Sequence, residues 1–231
     1  MFAFDVRKED AEQRGQMFAV FALCGAILAH GCADPERERL KHTTRASYDQ
    51  TTGKLTELTY DANKNGRIDT WTEMDGTRPI RSRIDSDEDG RIDRWEYYDA
   101  AGRLARVGFS RKAGEQPDAW AYSTASGRID RIEMSSTGDS AHIDRWEFYD
   151  TSAAAAGDGP GPLLRVDEDT NRDGRPDKWE RYVDGVVEVA EFDEDRDGRP
   201  DRRLTYRDAE LVRIETVPDS SGRYTRAVTP K

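Results

Sequence analysis

The chain has 231 residues, a formal net charge of −11, 36% charged residues and a mean hydropathy of −0.94. So acidic a chain lacks the basic face that nucleic-acid binding requires, and we expect no nucleic-acid partner. Only 35% of the residues are hydrophobic, which disfavours a single thick core. A thin array of repeated units, each sharing a small core with its neighbours, fits this composition better.

The first predicted element is a hydrophobic segment at 17–28, preceded by basic residues at 7, 8 and 14. It is short for a membrane span, but its length is typical of the apolar region of a secretory signal peptide. It ends in Ala29-His30-Gly31-Cys32. This ending resembles a bacterial lipobox, and the resemblance implies a signal peptide at 1–32 with lipidation of Cys32.

Two other interpretations of this segment stay open, namely a plain signal peptide with a chance cysteine and a buried N-terminal helix. Translation starting at Met17 would remove the basic residues. Cys24 and Cys32 are the two cysteines of the chain, so removal of the leader would leave no pair for a disulfide. The polar segment 33–45 predicts a tether between membrane and domain.

Four nine-residue segments repeat one acidic pattern: loop 1 (61–69), loop 2 (85–93), loop 3 (169–177) and loop 4 (193–201). In each loop, positions 1, 3, 5 and 9 are Asp or Asn, position 6 is Gly and position 7 is Arg. Calcium loops have this spacing, because alternate side-chain oxygens and the backbone carbonyl of position 7 surround the ion. The predicted ligands are Asp61, Asn63, Asn65, Arg67 and Asp69; Asp85, Asp87, Asp89, Arg91 and Asp93; Asp169, Asn171, Asp173, Arg175 and Asp177; and Asp193, Asp195, Asp197, Arg199 and Asp201.

The loops resemble EF-hand calcium loops, in which a glutamate at position 12 binds the ion through both oxygens. Glu96 and Glu180 occupy that position after loops 2 and 3, whereas Thr72 and Leu204 occupy it in the other two. We therefore predict tighter calcium binding at loops 2 and 3. The flanks lack long helical patterns, so the resemblance extends to the wider class that includes thrombospondin type 3 repeats and dockerin modules. The alternative is a set of solvated acidic turns, since Asn-Gly and Asp-Gly favour hairpins.

The loops belong to a longer repeat marked by five tryptophans with spacings of 24, 25, 26 and 33 residues: Trp71, Trp95, Trp120, Trp146 and Trp179. Each unit has the pattern strand, turn, strand, acidic loop. The predicted fold is mainly β, with repeated antiparallel β-hairpins in a meander or solenoid-like array and an N-terminal hydrophobic helix. About seven units fill 46–217, and 218–231 is a tail. The cadence resembles RHS/YD-type hairpin repeats.

Acidic residues that recur with a structural period are more simply metal ligands than catalysts, and no hydrolase or phosphate-binding motif is present in the sequence. We therefore predict a non-enzymatic, calcium-binding lipoprotein that is exported, anchored in a membrane and exposed to the periplasm or the cell exterior. Its role would be structural or involve a surface protein or glycan. A carbohydrate-binding or adhesion module is the alternative if the tryptophans are exposed, and a hydrolase is the third candidate.

Overall fold

The computed structural model describes residues 43–111, 116–152 and 159–230. The predicted signal peptide, the N-terminal hydrophobic helix, Cys32 and most of the tether lie outside these ranges, so export and lipidation stay predictions. Across the described residues, no helix has the length and apolar character that crossing a membrane requires.

The described chain is mainly β, with fifteen strands and almost no helix. It divides into two compact units, one formed by 43–107 with 159 and the other by 108–111, 116–152 and 160–230. The strands that begin in the first unit are β1 (Thr44–Tyr48), β2 (Leu55–Tyr60), β3 (Thr70–Asp75), β4 (Arg78–Ile84), β5 (Arg94–Tyr98) and β6 (Leu104–Phe109). Those of the second are β7 (Ala119–Ser123), β8 (Ile129–Met134), β9 (Arg145–Tyr149), β10 (Leu163–Glu168), β11 (Lys178–Val183), β12 (Val186–Phe192), β13 (Arg202–Arg207), β14 (Glu210–Pro218) and β15 (Tyr224–Val228).

Within each unit the strands form an antiparallel meander, since each pairs with the strands next to it in sequence. This confirms the predicted antiparallel β architecture in its meander form. Short connections explain it, because a strand that follows a tight turn can only return beside its predecessor.

Alternate residues of each strand share a face, and one face carries the buried row. In the first unit this row runs from Leu58 to Thr72, Ser82 and Glu96 on four successive strands. All four side chains are buried. In the second unit, Glu147, Val166, Glu180 and Ala190 form the equivalent row. The core is therefore thin and partly polar, as the composition predicts.

The tryptophans lie on the opposite face and alternate with charged residues of the strands between them. Trp71 and Trp95 flank Arg83, and in the second unit Trp146 and Trp179 flank Asp167. Trp95 is buried, and the other tryptophans are partly buried. One strand lies between the strands of successive tryptophans, so each repeat contains two strands and their connections, which is the physical origin of the period of about 25 residues.

Acidic loops and hairpin turns occupy opposite ends of the strands, because the connections of a meander alternate between its two ends. In the first unit, loop 1 joins β2 to β3 and loop 2 joins β4 to β5. In the second, segment 135–144, loop 3 and loop 4 occupy the corresponding places. Neighbouring loops are hydrogen-bonded, since the Asp85 amide donates to the Asp69 carbonyl and the Asp193 amide to the Asp177 carbonyl, both at 2.9 Å.

The strands extend beyond both predicted ends of the repeat domain. β1 begins at Thr44, inside the predicted tether, and β15 lies entirely within the predicted tail. β15 pairs with β14 through Ile214↔Val228 and Thr216↔Arg226. A short turn at 219–223 replaces the acidic loop there, so the pattern that marks the other units is lost although the strand is retained.

Candidate metal centre

The four acidic loops share one fold that is closed by side-chain carboxylates at positions 1 and 9. At position 1, an aspartate Oδ2 accepts the N–H of the position-6 glycine, at 2.6 to 3.0 Å in the four loops. At position 9, the aspartate carboxylate accepts the N–H of position 2, at 2.7 to 3.0 Å. The glycines have φ between 88° and 98°, which residues with a Cβ rarely adopt. The spacing that the four loops share therefore closes each loop.

Positions 3 and 5 hold the bend through one oxygen and leave the other group at the loop surface. In loop 2, Asp87 Oδ1 accepts the Asp89 N–H at 3.2 Å, and Asp89 Oδ1 accepts the Arg91 N–H at 2.8 Å. Loop 4 repeats these two bonds at 3.1 and 2.8 Å. Asx turns of this kind bring successive carboxylates to one side of the loop.

Two loops bring three aspartates together as a potential cation site. Asp85, Asp87 and Asp89 of loop 2 each place one carboxylate oxygen within 4.8 Å of the others, and Asp193, Asp195 and Asp197 of loop 4 do the same. In each set the first aspartate is buried and the other two are exposed. Such all-oxygen sets suit a hard cation such as calcium, whose ligands lie at about 2.3–2.6 Å.

Asp85 differs from the other position-1 aspartates because one of its oxygens has no hydrogen-bond partner in the described part of the chain. Its Oδ2 accepts the Gly90 N–H at 3.0 Å, whereas its Oδ1 is buried without a hydrogen-bond partner among the described residues. In the other loops, Oδ1 of Asp61, Asp169 and Asp193 accepts a backbone N–H at 3.1, 3.2 and 2.7 Å respectively. A buried carboxylate oxygen without a donor costs about 1–3 kcal/mol or more, and a bound cation would remove that cost.

The position-12 glutamates have partners on the sheet rather than in the loops. Glu96 is buried, accepts from Arg94 Nε at 3.0 Å and from the Tyr98 hydroxyl at 2.5 Å, and is not part of the loop 2 cluster. Glu180 binds Lys178 at 2.9 Å and the Tyr182 hydroxyl at 2.7 Å. These contacts argue against the ligand role inferred from the EF-hand resemblance, because a strand directs position 12 toward its i±2 neighbours.

Charge and burial differ around position 9. The pKa of Asp93 is raised above its usual value, chiefly because burial disfavours the charged carboxylate, although two hydrogen bonds from Ser86 oppose the shift.

The position-7 arginines at 67, 91, 175 and 199 are exposed, so their side chains leave the loops as the ligand pattern requires. Their carbonyl ligation stays a prediction.

Two further loops have lost the ligand pattern and are closed by other groups. In segment 135–144, Ser135 replaces the position-1 aspartate and its Oγ accepts the Asp139 N–H at 3.0 Å. In the loop before β7, Arg111 Nε donates to Asp118 Oδ1 at 3.0 Å, and Arg111 Nη2 donates to the Ser135 carbonyl. A guanidinium thus provides the positive charge beside the buried Asp118. The sequence indicated the degenerate loops but not Arg111, because arginine belongs to no ligand pattern.

Comparison with known proteins places the chain in no family. No family model matches it, and no curated protein matches it. Similar solved structures include a mutant of S. aureus TarM in complex with fondaparinux, alpha-GlcNAc-glycerol and UDP, with 13% identity, a TM-score of 0.34 and coverage of 54% of this chain and 26% of that one. Accessory secretory protein 1, 2 and 3 of Streptococcus pneumoniae has 14% identity and a TM-score of 0.34, covering 57% and 23%.

A third similar structure, TcdB2-TccC3, has 12% identity and a TM-score of 0.22, covering 74% of this chain and 12% of that one. The chain thus spans about a quarter or less of the length of these proteins. Similarity at this level assigns neither a family nor a function.

Proposed function

We propose that the protein is a non-enzymatic, calcium-binding β-repeat protein in which the cation holds the acidic loops closed and so stiffens the hairpin array. The role would be structural or would present a surface to a partner outside the cell. Loop 2 is the principal site of this proposal, and loop 4 is the second.

The observation that carries the proposal is the buried Oδ1 of Asp85, which has no donor in the described part of the chain and belongs to a three-aspartate cluster. Three carboxylates within 4.8 Å repel one another in the absence of a cation. A divalent cation would satisfy the buried oxygen and neutralise the repulsion together. The flexible, all-oxygen donor set favours calcium over magnesium, which requires near-ideal octahedral geometry.

Calorimetric calcium titration of the full chain tests the proposal. Asp85→Asn retains the size of the side chain but removes its charge, and we expect it to weaken binding at loop 2 by at least about tenfold. Asp75→Asn is the matched control, because Asp75 lies in the β3–β4 hairpin at the opposite end of the strands and loses the same charge. Its calcium affinity should stay within about twofold of the parent. Equal binding by the parent and Asp85→Asn would reject loop 2 as the site.

A further inference from the structure

Position 4 is charged in all four loops but differs in sign among them, and its backbone is left-handed in each. Its φ is 63° at Lys64, 59° at Glu88, 60° at Arg172 and 67° at Arg196. A side chain on such a backbone leaves the loop in a different direction from its ligand-bearing neighbours. In two loops it reaches the preceding connection at the same end of the strands, since Glu88 contacts loop 1 and Arg172 Nε lies 3.8 Å from Asp144 Oδ2 of segment 135–144.

Glu88 is the acidic member of this set, and its carboxylate contacts three residues of loop 1. Its Oε1 accepts from the Asn63 side-chain amide at 2.5 Å and also from the Asn65 side-chain amide. Its Oε2 lies 3.7 Å from Arg67 Nη1. The Glu88 side chain is 15% exposed, so this carboxylate is largely withdrawn from water.

The backbone of loop 1 determines which end of each asparagine faces Glu88. Asn63 Oδ1 accepts the Asn65 N–H at 3.1 Å, and Asn65 Oδ1 accepts the Arg67 N–H at 2.9 Å. Rotating either amide would set two N–H donors against each other, so each NH₂ group must point outward. Loop 2 has aspartates at the same two positions and presents carboxylate oxygens there. Loop 1 therefore presents hydrogen-bond donors where loop 2 presents acceptors.

We propose that loop 1 is closed by the Glu88 carboxylate instead of a calcium ion, so that Asn63, Asn65 and Glu88 determine which of the two neighbouring loops binds metal. The amide donors that loop 1 presents at positions 3 and 5 attract a carboxylate and repel a cation, and hydrogen bonds to a charged acceptor are the stronger kind. The inference rests on the proposed function for loop 2 and revises the metal assignment of loop 1. Calcium would bind loop 2, and loop 2 would reach loop 1 through Glu88.

Hydrogen exchange of the full chain in chelator tests the closure of loop 1 without metal. Glu88→Ala should speed exchange of the Asn65 and Arg67 amides by about tenfold, because Asn63 and Asn65, whose Oδ1 atoms accept these two amides, lose the carboxylate that orients their side chains. Arg196→Ala is the matched control, since Arg196 holds the same position in loop 4 and should leave these amides unchanged. Unchanged exchange in Glu88→Ala would overturn the proposal, whether or not the chain binds calcium.

Calcium titration of the same chain tests the choice of loop. Asp61→Asn should leave the number of bound calcium ions unchanged, whereas Asn63→Asp with Asn65→Asp and Glu88→Gln should add one ion per chain. Loss of one ion in Asp61→Asn would show that loop 1 binds calcium and would overturn the proposal. A parent chain that binds no calcium would refute the proposed function, while the exchange result would still decide whether Glu88 closes loop 1.

Discussion

At the scale of single residues, neighbouring contacts decide which acidic groups are available to a cation. Asp85 and Glu96 are both buried, yet only the Asp85 carboxylate keeps an oxygen without a donor within the described ranges. Glu96 is neutralised by Arg94, whose Nη2 lies 2.8 Å from it, and accepts the Tyr98 hydroxyl. A buried acid with a complete set of partners stabilises the sheet, whereas one that lacks a partner is available for a ligand.

Glu96→Gln separates these two roles. The substitution removes the charge opposite a guanidinium that is only 13% exposed, so we expect the free energy of unfolding to fall by about 1–3 kcal/mol. Calcium affinity at loop 2 should change by less than about threefold, because charge loss acts there only at a distance. Urea unfolding and calcium titration of the same variant give both quantities. A loss of affinity on the order of a hundredfold with unchanged stability would restore Glu96 as a ligand.

At the scale of strands, a basic residue, a glutamate and a tyrosine at alternate positions form a repeated set on one face. β5 has Arg94, Glu96 and Tyr98, and β9 has Arg145, Glu147 and Tyr149. β11 repeats it with Lys178, Glu180 and Tyr182. In each set the tyrosine hydroxyl donates to the glutamate, and the basic group neutralises the same carboxylate. This stabilises a sheet whose apolar core is thin.

The tyrosines make the sheet sensitive to alkaline pH. Burial raises the pKa of Tyr60 to about 12, and burial followed by the hydrogen bond to Glu147 raises the pKa of Tyr149 further. An unfolded tyrosine loses its proton near pH 10, so the folded state binds more protons above that pH. Stability is therefore fully present below pH 10 and decreases as pH rises through the folded pKa values.

Tyr149→Phe tests this pH dependence. At pH 7 the variant should lose about 1 kcal/mol of unfolding free energy with the hydrogen bond to Glu147, and its loss of stability from pH 10 to 12 should be smaller than in the parent. Urea unfolding at several pH values measures both. A parent whose stability does not change between pH 9 and pH 12 would contradict the account.

The strands and loops were predictable wherever one chemical pattern specifies one local geometry. Asp at positions 1 and 9 with Gly at 6 predicted all four loops, and the tryptophan period predicted the hairpins. The contact between Glu88 and loop 1 was not predictable, because it depends on a left-handed backbone conformation at Glu88 and on a loop that lies two strands earlier in the chain. The sheet partners of Glu96 were not predictable either, because counting to position 12 by analogy with a helical flank does not show that a strand places this side chain beside Arg94 and Tyr98. β15 was missed because its connection retains no acidic loop.

At the scale of the molecule, the apolar content is low, and the closed acidic loops add stability to the strands that follow them. Each closed loop fixes the start of the strand that follows it, as Asp93 does ahead of β5 through its bonds to Ser86. A cation that binds the folded chain and not the unfolded chain stabilises it by about 2.7 kcal/mol per site at a hundredfold excess over Kd. For a chain of this size, that corresponds to a rise in melting temperature of about 5–10 °C per site.

Thermal unfolding of the full chain in calcium and in chelator, at matched ionic strength, tests the central claim most directly. Matched ionic strength makes the general screening of a chain with a net charge of −11 equal in the two conditions, so a difference in melting temperature reports specific binding. We predict a higher melting temperature in calcium, and a smaller rise in Asp85→Asn than in Asp75→Asn. Equal melting temperatures of the parent chain in calcium and in chelator would contradict the account and leave the loops as acidic turns.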